Sequence, residues 1–305
     1  MALLSEVFYW LFNMSISASV VGIIILLLGK IKKLPRRLIH ILWAIPFLRM
    51  WIPIGMSSKY SLMTLISKFT TRTVVVYDGA LDFTFTNHIM AADNYSPITY
   101  KVNLLDNLFR AASMVWIIVA VALMIISVVL YVITKSELKD ANRLRDNIYV
   151  SDRITAPATY GVFRPRIIIP KGYELRDLQY ILAHESAHIN RKDNLWRILA
   201  IISVSVHWFN PFVWLFLKRF LEETELACDE RVLADCGEDV KKAYAIALID
   251  YAESRNVFVS AFGGAKIRVR IDHILLYSKL SIISIISFTV FAIAIGYVLL
   301  TNASL

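Results

Sequence analysis

Cysteine is scarce in this chain: Cys228 and Cys236 are the only two among 305 residues. Their eight-residue spacing fits none of the usual zinc-binding cysteine pairs, which argues against a cysteine-based metal site. Both are expected to remain reduced thiols and to pack as small, partly buried side chains. Internal repeats and low-complexity tracts are lacking. No basic region precedes the first apolar run and no small-residue cleavage site follows it, which excludes a cleavable signal peptide. Charge is missing from long stretches, and where it occurs base outweighs acid, for a net +9.

Apolar residues are plentiful, at 57% of the chain with a mean hydropathy of +0.58. A bilayer crossing takes about 20 helical residues. Val7–Gly29, Ala111–Thr134 and Leu280–Leu300 meet that length without a charge. Leu38–Gly55 is weaker, with His40, Arg49 and two prolines, but is expected to return the chain across the membrane. The short tract Lys30–Arg37 between the first two runs holds five Lys/Arg and no acid, which places it in the cytoplasm. Both termini and the loop 57–110 are then outside, and the segment 135–278 is inside. The excess of base reflects this bias and a membrane-facing surface, not a nucleic-acid site.

The expected organisation is an N-terminal membrane region over residues 1–134, a cytoplasmic domain over 135–278 and a fourth span at 280–300. In the inner segment, "KSELKDANRLRD" is read as a charged helix continuing the third span. The stretch "IYVSDRITAPATYGVFRPRIIIP" is read as short strands and turns, with "RIIIP" an exposed edge strand. Helix resumes at Leu175. The apolar "NLWRILAIISVSVHWFNPFVWLFLKRF" is interrupted by Asn210-Pro211 and carries basic residues at both ends. It is read as a hairpin at about 195–217 that dips into the inner leaflet, with a wholly protein-buried helical pair as the alternative. Leu221–Gly237 is a separate helix ended by Gly237, Lys241–Ser254 another, and Arg255–Asp272 a flexible link.

Within this segment lies "HESAH", His184 to His188. Residues i and i+4 share one face of a helix, so both imidazoles can bind one ion. Glu185 sits one step round, where it can take a proton from water. Two neutral imidazoles and a carboxylate suit zinc, with a position left open. A carboxylate from a later helix is the expected third ligand. Glu225 in "ELACD" takes that role, with Asp229 one turn on orienting a ligand imidazole. Glu222 and Glu223 are read as solvated. His40, His88, His207 and His273 are read as packing or hydrogen-bonding residues.

The chain resembles the BlaR/MecR-type membrane metallopeptidases, which include β-lactam sensors. The resemblance rests on "HESAHINRKDN", "HWFNPFVW", "ETELACDERVL", "APATYGVFRPRIIIP" and "SAFGGAKIRVRIDHIL". It implies a bacterial plasma-membrane protein, mainly α, with four transmembrane helices. A gluzincin-type α+β zinc peptidase domain is inserted between spans three and four. It further implies Zn2+ held by His184, His188 and Glu225, with Glu185 as catalytic base and an autocleavage point near Ala261-Phe262. The upstream strand segment would pair with an extended substrate. The expected substrate is a cytosolic or membrane-proximal protein, such as a DNA-binding repressor. A homodimer and an external or membrane sensor partner are the other expected associations. The sensors continue past the last span into a penicillin-binding domain, and this chain is expected to act without one. Two other readings stand beside the regulatory peptidase: a non-catalytic zinc-stabilised signalling scaffold, and a membrane quality-control peptidase.

Overall fold

A computed structural model describes residues 2–31, 34–51, 57–61, 104–154, 156–172, 178–237, 240–253, 267–277 and 281–303. The N-terminal helix α1 (Ala2–Gly29) is followed by α2 (Arg36–Leu42) and α3 (Ala44–Trp51). The expected second span is thus two short helices broken at Trp43. Pro46 explains the break, since it has no N–H for the Leu42 carbonyl one turn back. Helix α4 (Leu104–Glu137) is long, apolar and almost unburied over the stretch Leu108–Ser136. Ile118, Val121 and Val128 on it are each about half exposed or more, a surface suited to lipid and costly in water. Among the described residues two helices, α1 and α4, are long and apolar enough to cross a membrane, and a shorter apolar stretch, Ile283–Leu299, lies in α10 (Ile282–Leu300).

After α4 the chain departs from expectation. Helix ends at Glu137, and "NRLR" forms strand β2 (Asn142–Arg145) rather than a charged helix. Asp146, at φ 45°, turns it into β3 (Ile148–Ser151). With β4 (Ala158–Tyr160) and β5 (Arg166–Pro170) they make one sheet, in the order β2-β3-β5-β4. "RIIIP" is therefore an inner strand, parallel to β3 and antiparallel to β4, and Ile167, Ile168 and Ile169 are buried. The two edges of this sheet, among the described residues, are β2 and β4. Two residues on the far side of the membrane region, β1 (Ser57–Ser58), pair in parallel with β6 (Asn302–Ala303) after α10. That puts the start of the expected outer loop and the end of the last helix on one side.

The motif helix α5 (Leu178–Asn190) leads into α6 (Asp193–Val206), then α7 (Pro211–Cys236). Asn210 caps α7 by accepting from the Phe212 N–H, and Pro211 occupies the first turn. The expected break is there, but no second one follows: α7 runs unbroken from the hairpin through Glu225 to Gly237. Helix α7 lies parallel to α1. Asn210 donates to the hydroxyls of Ser15 and Ser19, each at 2.7 Å. Further along, Phe216 packs on Gly22, where a Cβ would sit 2.2 Å from its ring. Glu223 reaches the level of Gly29. At the hairpin tip Phe209 stacks on Phe12, and the Trp116 indole donates to the Val206 carbonyl. From Gly29 to Phe12 along α1 is roughly 25 Å at 1.5 Å per residue. The hairpin packs on α1 over that length. Its polar contacts to α1 replace the water that a bare turn would lack in lipid.

Helices α8 (Lys241–Glu253) and α9 (Ile267–Leu276) complete the inner domain. Its core joins Ile181, Cys228, Val232, Leu233, Tyr244 and Leu248. The "IRVRID" stretch, expected as a link, is helix α9. Ala261 and Phe262 lie outside the described residues, as do His88 and Leu175.

Candidate metal centre

His184 and His188 project from α5 with their Nε2 atoms 3.1 Å apart. Two ligands at 2.0–2.1 Å around a tetrahedral ion stand about 3.3 Å from each other, so the pair fits one ion. The Nδ1 side of each ring is already engaged. His188 Nδ1 lies 2.7 Å from Asp193 Oδ2. His184 Nδ1 lies 2.9 Å from the Tyr244 hydroxyl, which itself donates to Asp229 Oδ1 at 2.6 Å. A ring that donates from Nδ1 keeps its lone pair at Nε2, so both contacts select the metal-binding tautomer.

Glu225 closes the third side. Its Oε2 is 3.5 Å from His184 Nε2 and its Oε1 3.8 Å from His188 Nε2. Cys228, expected to be mere packing, also comes here: its thiol lies within 4.8 Å of a ligand nitrogen of each histidine. That creates two rival donor sets. The thiol is fully buried and directed at the His184 main-chain carbonyl at 3.2 Å. The Glu225 carboxylate instead faces both Nε2 atoms, and on that geometry it is the better third donor. Cys236 is exposed and remote from the pair.

Asp229 is where the sequence placed it, behind His184, at 3.3 Å from Nδ1. What the sequence reading missed is Arg270 of α9. Its guanidinium donates to both Asp229 oxygens, at 2.8 and 2.7 Å, and pairs with Glu225 at 3.2 Å. Burial opposes ionisation of Asp229, but Arg270 and His184 outweigh it and hold the carboxyl at about 2. Burial likewise opposes a charged His188, yet Cys228, Asp193 and Glu225 raise it to about 10 in the metal-free site. A cation is thus strongly favoured between these groups, and a divalent ion satisfies the same field as protons do.

Glu185 is buried and points to the sheet. Thr159 of the edge strand β4 donates to its Oε2 at 2.8 Å. Asn194 of α6 fixes β4 in turn, donating to the Thr159 and Gly161 carbonyls. Lys192, in the left-handed region at φ 56°, folds α6 back on α5, which brings Asp193 to His188. Asp193 stands in "HINRKDN", five residues past His188, and no local pattern in the sequence marks it as a partner of that imidazole. Tyr244 and Arg270 come from helices 56 and 82 residues beyond His188, and nothing local marks them. Glu223, expected to be solvated, is buried against Arg36 at 3.0 Å, while Glu222 pairs with Arg219. His40 stacks on Phe220, and His207 is buried in the hairpin turn beside Trp51.

The chain belongs to the BlaR1 peptidase M56 family, whose model matches residues 9–273. It is 29% identical over 141 residues to the regulatory protein BlaR1 of Bacillus licheniformis, covering 45% of this chain and 23% of that protein. Similarity to the regulatory protein BlaR1 of Staphylococcus aureus is 26% over 166 residues, 48% of this chain and 28% of the relative. The methicillin resistance mecR1 protein of Staphylococcus aureus is 22% identical over 145 residues, 44% and 25%. The chain thus spans about a quarter of the length of these relatives.

Proposed function

We propose that the protein is a zinc endopeptidase that cleaves a cytosolic or membrane-proximal protein at the inner membrane face, in a regulatory role like that named for its BlaR1 relatives. The observation that carries this reading is the convergence of His184, His188 and Glu225 on one point, with Glu185 next to His184 on the same helix. The donor set is that of a catalytic zinc with an open position. Zinc bound there would polarise a scissile carbonyl and bring the pKa of water toward about 7. Glu185 takes the proton from the attacking water and delivers it to the leaving amine. Thr159 orients that carboxylate, Asp193 and Tyr244 fix the two imidazoles, and Arg270 keeps Asp229 and Glu225 ionised. The free edge of β4 runs beside Glu185, so an extended substrate that pairs with it would lie along the site. Four crossings, with the basic tract Lys30–Arg37 and the peptidase domain inside, are the arrangement we favour.

The test is Glu185→Gln, which keeps the shape and removes the base. Its zinc content should match the parent's, while cleavage falls by about 10²–10⁴-fold. Comparing protein termini in cells that make the parent or the variant would name the substrate. Equal cleavage by the two forms would refute the reading. A second reading, a structural zinc that only pins helices, draws on the nearness of Cys228, because a fourth protein ligand would close the site.

A further inference from the structure

We propose that the protein holds one anionic phospholipid in a built cavity at the cytoplasmic end of its membrane helices. This rests on the membrane reading and is independent of peptidase activity. The cavity measures about 1060 Å³, at the upper end of the roughly 300–1,000 Å³ of small-molecule sites. None of the proposed metal ligands lines it. Its apolar side is formed by Leu34, Leu38 and Ile41 with Ile285 and Phe288 of α10. Ile41 and Ile285 are 63% and 50% exposed, so this side is open along the helices, as an acyl chain requires.

The remaining side carries the bases Lys30, Arg36 and Arg37 together with His273 and the acids Glu230 and Asp272. The two arginines are fixed in place. Arg36 donates to the Gly29 carbonyl and the Glu223 carboxylate, both at 3.0 Å, and Arg37 donates to the Glu230 carbonyl. Glu230 also lines the cavity, but its carboxylate accepts from the main-chain N–H groups of Arg36 and Arg37. Lys30 is exposed and forms the mouth. The tract these residues belong to has five bases and no acid. Such juxtamembrane basic clusters attract anionic headgroups, whereas a zwitterionic lipid offers no net charge to match. A soluble anion would use the bases and leave the apolar wall in water. A double-chained phosphate ester uses both.

The occupant would also pack against α9, the helix that carries Arg270. Val269, Asp272 and His273 of α9 line the cavity on either side of Arg270 in sequence, and Glu230 lies five residues past Glu225. The full chain, purified in detergent, would be examined by native mass spectrometry with dioleoyl phosphatidylglycerol, dioleoyl phosphatidylcholine or inorganic phosphate added. One phosphatidylglycerol should be retained at least about tenfold better than phosphatidylcholine, and phosphate alone should not be retained. Lys30→Gln, a surface change, should weaken phosphatidylglycerol about fivefold. Thr289→Trp, which fills the cavity, should abolish retention with zinc content unchanged. Equal retention of the two lipids, retention of phosphate alone, or no effect of Lys30→Gln would each overturn the proposal. Loss of cleavage in Glu185→Gln has no bearing on it, so the two readings fail separately.

Discussion

Whether the centre between His184 and His188 is catalytic depends on which side chain is the third donor. Glu225 and Cys228 lie one helical turn apart on α7 and both reach the histidines. They differ in what else they bind. The thiol serves the His184 carbonyl, and the carboxylate faces Nε2 of both rings and is held ionised by Arg270. Glu225→Gln should therefore lower zinc affinity by about two orders of magnitude or more, while Cys228→Ser should leave zinc content and cleavage near the parent's. Equilibrium dialysis against zinc, followed by metal analysis, separates the two. Zinc lost from Cys228→Ser and kept in Glu225→Gln would make the site His-His-Cys and support the structural reading. Arg270 belongs to the same argument: a buried guanidinium against two carboxylates is costly to desolvate and is stable only as part of the whole set.

Among the elements, the contact between α1 and α7 is the tightest constraint. Gly22 has no Cβ, and the Phe216 ring occupies the space where one would be. Small residues at such crossings let helices approach in lipid, where packing rather than water drives association. Gly22→Ala should force the helices apart and destabilise the protein by about 1–3 kcal/mol. Thermal unfolding in detergent would show it, and an unchanged midpoint would mean that the helices do not meet there. Much of the element order was legible in the sequence, because local rules fix it: HESAH at i, i+4, the Asn210-Pro211 break, the stop at Gly237. Three elements were misread for identifiable reasons. "NRLR" has helix-forming residues but is held as a strand by its pairing with Tyr149 and Val150. "RIIIP" ends in proline, a mark of edges, yet Pro170 is the last residue of its pairing with β3. "IRVRID" looks like a charged link because its buried arginine finds its counter-charges only in the folded site.

At the scale of the molecule, the hairpin of α6 and α7 joins the metal centre to the aromatic cluster at the start of α1. Its tip packs on Phe8, Phe12 and Trp116 near the start of α1 and of α4. Its two arms end at the metal centre: α6 begins with Asp193, which holds His188, and α7 carries Glu225 and Asp229. A rigid pair of helices of this kind would move the ligands whenever its tip moved, without any further linkage. The geometry makes a definite claim about depth. If the tip were only a shallow dip, a residue beside it would lie near the inner headgroups. If α7 runs alongside α1 as described, a residue at the start of α7 lies about 16 Å from the level of Glu223 and Gly29, about halfway through the roughly 30 Å hydrocarbon core. Phe212 is suited to the measurement, being 43% exposed at the start of α7. A spin label on Phe212→Cys, in a background where Cys228 and Cys236 are serine, should be relaxed strongly by oxygen and weakly by a water-soluble nickel complex. Its depth should fall near the middle of the bilayer. A label at the inner headgroup level would place the hairpin in the inner leaflet and remove the direct mechanical link between the aromatic cluster and the zinc ligands.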